Sequence, residues 1–157
     1  QIRFFIPDNP VPVTMQTFGI LMVGGLYGPR LTMLSIFSYI IIGIIGVPVF
    51  QGHSGGIDYF FGVTGGYLVG FIFASVVISV LSNTGLKKGL SIWAMIIGNI
   101  FIYIPALIWL SIYDFGWPEN GKLFSQAVYP FLIGDFIKLI LASLSINILW
   151  KLSKKNN

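Results

Sequence analysis

Three stretches of this chain, Ile57 to Leu81, Gly89 to Tyr113 and Phe124 to Trp150, run apolar for more than 20 residues without a polar face. A soluble helix needs a polar side to cover its core, and these segments have none. They are long enough to cross a hydrocarbon layer about 30 Å thick. In lipid every backbone N–H and C=O needs an internal partner, so such segments fold as helices. Two further apolar runs, Val11 to Tyr27 and Leu31 to Phe50, bring the predicted spans to five. Short breaker turns separate them: "GPR" at 28–30, "QGHSGG" at 51–56, "SNTGLKKG" at 82–89 and "DFGWPENGK" at 114–122. With 55% hydrophobic and only 9% charged residues, the composition leaves no room for a soluble alternative. The reading is an all-α, polytopic membrane helical bundle, with residues 1–157 forming one transmembrane domain.

Orientation follows from Lys and Arg, which favour cytoplasmic loops. Five spans place Arg30, Lys87, Lys88, Lys151, Lys154 and Lys155 on one side and Arg3 and Lys122 on the other, so the C-terminus is expected in the cytoplasm. Residue 1 then lies outside, where the sequence opens "QIRFFIPDNP" and is already apolar. That opening reads as the end of a preceding helix whose beginning is absent.

Several function classes are excluded or lack support. With no cysteine there is no thiolate site, and His53 is the single histidine, so a two-histidine zinc motif is impossible. No G-x-x-x-x-G-K-[ST] run occurs, "TGLKKGLS" having the wrong spacing, so ATP cannot be held by a phosphate loop. We expect no enzyme, no cofactor and no metal, and the charge of +4 acts as a topology signal, not as a nucleic-acid surface. Small residues four apart mark close helix contacts, with Gly62, Gly66, Gly70 and Ala74 as the main row and Gly24 with Gly28 and Ala94 with Gly98 as shorter ones. Trp93 and Trp150 near the inner ends, and Trp109, Tyr113 and Trp117 near the outer, fit interfacial belts.

Against this apolar background Asp135 and Lys138 stand out. Three residues apart on a helix, they share a face and can neutralise each other. If the helix starts at Pro130, they lie about 7 and 12 Å below its outer end. Ionisable groups at that depth cost a few kcal/mol unless paired or wet, which makes a binding site the default reading. A carboxylate accepting N–H groups beside an ammonium donating to a carbonyl suits the edge of a cyclic urea or amide. Tyr67, Tyr103 and Gln16 fall in the outer halves of their spans and could reach such a pocket, with Asn99 deeper. Two other readings stay open at this point: a proton-coupled secondary transporter of a small cyclic urea or amide, with Asp135 titrating, and a structural subunit using the pair as a clamp.

"PVPVTMQTF" at 10–18, "GPR" at 28–30, "YIIIGIIGVPVF" at 39–50, "GVTGGYLVGF" at 62–71 and "GDFIK" at 134–138 resemble, in order, the biotin-specific substrate-capture (S) components of energy-coupling-factor (ECF) importers. The resemblance covers nearly the whole chain. It implies a six-helix fold, of which five helices and the end of the first would be present here. It further implies biotin capture from outside a bacterial cell membrane, and recycling by a membrane scaffold protein with two ATPase subunits. "GDFIK" carries the binding role to Asp135 and Lys138, and "GGYL" carries Tyr67; Val63 and Ala106 depart from the proline and glycine of the family pattern. On this reading Asp135 accepts a ureido N–H of biotin, Lys138 orients Asp135 or donates to the ureido carbonyl, and Gln16 or the backbone of "GHSGG" meets the valerate carboxylate; the reverse pose, with Lys138 on the valerate, stays open. The segment Ile6 to Thr14, stiffened at Pro7, Pro10 and Pro12 and including Asp8 and Asn9, is expected to close over the ligand as a lid.

Overall fold

In the computed structural model, residues 2–83 and 91–155 are described; Lys87, Lys88 and most of the predicted 82–89 turn lie outside them. The chain opens with a hairpin, β1 (Arg3–Phe4) antiparallel to β2 (Val13–Thr14), in the register Arg3↔Thr14 and Phe4↔Val13. Five long helices follow: α1 (Gln16–Leu26), α2 (Pro29–Ile44), α4 (Gly65–Asn83), α5 (Ser91–Ile112) and α7 (Tyr129–Lys155). The short helices α3 (Ile57–Phe60) and α6 (Leu123–Ala127) precede α4 and α7.

The bundle is a membrane structure turned toward its own interior. Along α7 the exposed face carries Leu132, Ile133, Phe136, Ile137, Leu141, Leu144 and Ile148, while Phe131, Asp135, Lys138, Leu139, Ala142 and Ile146 are buried. The charges point inward and the hydrocarbon outward, the reverse of a soluble helix.

Helix boundaries differ from the apolar runs wherever proline or glycine intervenes. Residues 2–5 are not the end of a helix but one arm of the hairpin. Pro10 and Pro12 lack an N–H and push their neighbours into extended backbone, so the run beginning at Val11 becomes strand first and α1 keeps only 11 residues. Pro29 takes the first position of α2, two residues before the expected start, and α2 ends at Ile44 ahead of Gly46 (φ 107°) and Pro48. At 1.5 Å per residue, α1 and α2 span about 16 and 24 Å, less than the hydrocarbon core. Helices long enough to cross occur at Gly65–Asn83, Ile92–Ile112 and Leu123–Leu152.

The break before α7 supplies anchors. Pro130 has no N–H to return to the Gln126 carbonyl, and the Phe131 N–H bonds the Val128 carbonyl instead of reaching Ala127. The two orphaned carbonyls are taken from elsewhere in the fold: Asn9 Nδ2 donates to Gln126 O at 3.0 Å, and the Tyr67 hydroxyl to Ala127 O at 2.7 Å.

Of the expected small-residue row, Gly66 and Gly70 seat α4 against α5, whereas Gly62 precedes the helix and lies against the Tyr59 carbonyl. A Cβ on Gly66 would lie 2.8 Å from the Ala106 Cα, and one on Gly70 2.9 Å from the Ile102 Cα, so backbone meets backbone there. Gly98 faces Ala74 and Ile78 across the same interface. Gly24 lies against Ser75 and Ile78, but its expected companion Gly28 faces open space and starts α2 instead. At the far end of α1, Thr32 and Ser79 both donate to the Tyr27 carbonyl, satisfying the helix terminus.

Candidate ligand site

Asp135 and Lys138, both ionisable, are only 4% and 5% exposed inside a lipid-facing bundle. Their spacing on α7 puts Lys138 Nζ 2.8 Å from Asp135 Oδ1. The second carboxylate oxygen accepts from two groups one turn apart on α5, Asn99 Nδ2 at 3.0 Å and the Tyr103 hydroxyl. Lys138 donates in addition to the Thr14 carbonyl at 3.1 Å and to the Thr17 hydroxyl. Each of the three ammonium protons has an acceptor, which is what makes burial of the pair tolerable.

Beside the pair lies a narrow pocket with a free cavity volume of about 50 Å³. Leu68, Phe71, Ile102 and Phe131 form apolar wall, with the rings of Tyr67 and Tyr103 between them in edge contact at 6.4 Å. Thr14, Gln16, Thr17, Gln51, Tyr59 and Thr64 add polar groups around it.

The structure gathers Asp135, Lys138, Tyr103 and Asn99 into one hydrogen-bonded cluster. Tyr67 lines the pocket with its ring, its hydroxyl being spent on Ala127. Gln16 also lines it, but its amide nitrogen donates to the Tyr39 hydroxyl and its oxygen accepts from Thr14 Oγ1 at 3.2 Å. Asn99 is a partner of Asp135 and not part of the pocket wall.

Within the 6–14 segment, Val11, Pro12 and Thr14 line the pocket. Pro7 and Asp8 form the hairpin turn, with Asp8 at φ 57°, and Pro10 follows it. Asn9 is the clamp: its Oδ1 accepts from Val11 N at 2.9 Å while its Nδ2 reaches α6. Arg3, on the outer arm, donates to Gln51 Oε1 at 3.1 Å, joining the hairpin to the 51–56 loop. Gly52 in this loop, at φ 73°, has no side chain to obstruct the Arg3 guanidinium that occupies the space a Cβ would need.

Sequence reading missed Thr17, Gln51, Tyr59 and Thr64, and gave Thr14 only as the end of the lid segment. Thr14 and Thr17 carried a signal, because "VTMQTF" sets three polar side chains at one end of an apolar run, where each needs a reason. Tyr59 carried none, since tyrosine near a span end fits an interfacial belt equally well.

The BioY family profile matches residues 1–155. The chain belongs to the BioY family. It is 37% identical over 131 residues to a probable biotin transporter BioY of Pyrococcus horikoshii, covering 83% of this chain and 75% of that one. It is 33% identical over 139 residues to the biotin transporter BioY of Thermotoga maritima, covering 88% and 80%. Among solved structures it resembles the S-component for biotin from an ECF-type ABC transporter, with a TM-score of 0.80, 30% identity and coverage of 95% of this chain and 80% of that one. The described BioY fold is thus a multi-pass membrane helical bundle of the S-component type.

Proposed function

We propose that this BioY-family chain is the biotin-capturing subunit of an ECF-type importer, taking biotin into the pocket beside Asp135 and Lys138. As a member of this family it is a transport component and not an enzyme. The observation that carries the ligand assignment is the state of the buried pair. Lys138 is fully engaged by Asp135, Thr14 and Thr17, and Asn99 and Tyr103 occupy Asp135 Oδ2, so the pair presents a ligand chiefly with the lone pair left on Oδ1. A ureido ring supplies an N–H donor for that acceptor, and the apolar wall suits its thioether ring.

The hairpin acts as the lid. It forms part of the pocket wall and is held by two side-chain contacts, Asn9 to Gln126 and Arg3 to Gln51, which can break and reform without unfolding a helix. The excess of basic residues at one end of the bundle supports a cytoplasmic C-terminus and an outward-facing mouth, in a cell membrane whose lipid covers the apolar exterior. Since the sequence has no phosphate loop, energy is supplied by partners, a membrane scaffold protein and two ATPase subunits. No cofactor is required.

Reconstitution in liposomes tests this division of labour. The protein alone should bind biotin and accumulate little of it, and adding scaffold, ATPases and ATP should restore uptake. Concentrative uptake by the isolated protein under a proton gradient would instead make Asp135 the coupling group of a secondary transporter.

A further inference from the structure

The charged end of the pocket has committed its donors. The three protons of Lys138 go to Asp135, Thr14 and Thr17, and Tyr103 and Asn99 both donate to Asp135. That end has one carboxylate lone pair, on Asp135 Oδ1, left to accept an N–H group, and its ammonium has no proton left for an anion. The opposite chemistry is found on a different wall. Helix α3 packs against α2 and α4, whereas α7 packs against α1, α5 and α6. Tyr59, on α3, lines the same pocket, and its hydroxyl oxygen is buried with no hydrogen-bond partner. Its ring is fixed in place, stacked on the fully buried Phe50 at 5.3 Å and 22°. Gln51 and Thr64, from the same stretch of chain, line the pocket with it.

A buried hydroxyl without a partner is unfavourable, and a tyrosine donates well to an anion. We propose that the Tyr59 hydroxyl is a specificity-determining donor to the carboxylate that ends the ligand's tail. The ligand's N–H end then lies at Asp135 and its acidic end at the wall built by residues 51–64. The site selects molecules with N–H donors at one end and an anionic acceptor at the other, separated by an apolar stem.

This assignment rests on the biotin reading, and the experiment separates the two. Biotin and an analogue whose tail ends in a methyl group in place of the carboxylate are titrated against the wild-type protein and Tyr59→Phe, which keeps the stacked ring. Biotin should bind Tyr59→Phe about tenfold or more weakly, while the methyl-terminated analogue should bind both proteins equally. An unchanged biotin affinity overturns the assignment, as does an equal loss for both ligands, which would mean that Tyr59 acts on the ring or on the fold. Equal melting temperatures of the two proteins confirm that folding is unaffected, and a lowered one for Tyr59→Phe would count as a structural role. Wild-type protein that binds neither ligand overturns the biotin reading and this assignment with it.

Discussion

Asp135 and Lys138 depend on each other for burial. Taking away the carboxylate leaves an ammonium at 5% exposure whose remaining acceptors, Thr14 O and Thr17 Oγ1, are both neutral. Breaking a buried pair in this way costs about 3–5 kcal/mol, whereas replacing both partners is far milder. Asp135→Ala should therefore melt well below wild type in detergent, and the Asp135→Ala, Lys138→Met double variant should recover most of the loss. A double variant that melts no higher than Asp135→Ala would show that Lys138 is hydrated. The pair was legible in the sequence because a charge inside an apolar run needs a reason. Thr17 carried only the general signal of a polar group in an apolar run, because its role exists only once α1 is laid beside α7.

Elements were harder to read than residues, and the difficulty is instructive. Hydropathy reports how apolar a run is, and it cannot see a missing N–H. The run from Val11 was one span by hydropathy, yet Pro10 and Pro12 turned its start into a strand that walls the pocket. Likewise Phe124 to Trp150 was one span, and Pro130 divides it and releases the carbonyl that holds Asn9. The hairpin is the element we expect to move. Asn9→Ala removes both of its side-chain bonds, so amide exchange at Val11 should quicken and biotin should dissociate several-fold faster, with a smaller change in association. Unchanged dissociation would argue against a lid. The small-residue row was readable because its spacing is local, and it too can be tested. Gly70→Ala forces a Cβ onto the Ile102 backbone and should destabilise by about 1–3 kcal/mol, whereas Gly19→Ala, with open space around it, should be neutral or slightly stabilising in a thermal-shift assay.

At the scale of the whole molecule, the fold carries a candidate binding site, and the sequence contains no phosphate-loop run. The bundle class and the absence of a nucleotide motif were legible in the sequence. The shape of the pocket was not, because it is assembled from β2, α1, α3, α4, α5 and α7. A ligand held at nanomolar affinity is stabilised by about 12 kcal/mol at the 1 M standard state, so unaided release would be slow. On the proposed function, a partner favours a state in which the hairpin opens or Asp135 loses its supports. All of this rests on the claim that biotin binds beside the buried pair. Isothermal titration of biotin into wild type and folded Asp135→Asn addresses it most directly. The amide keeps the shape but loses a charge-assisted bond of about 1.5–3 kcal/mol, so saturable binding to wild type should weaken at least tenfold in the variant. No binding to wild type, or the same affinity in both proteins, would contradict it.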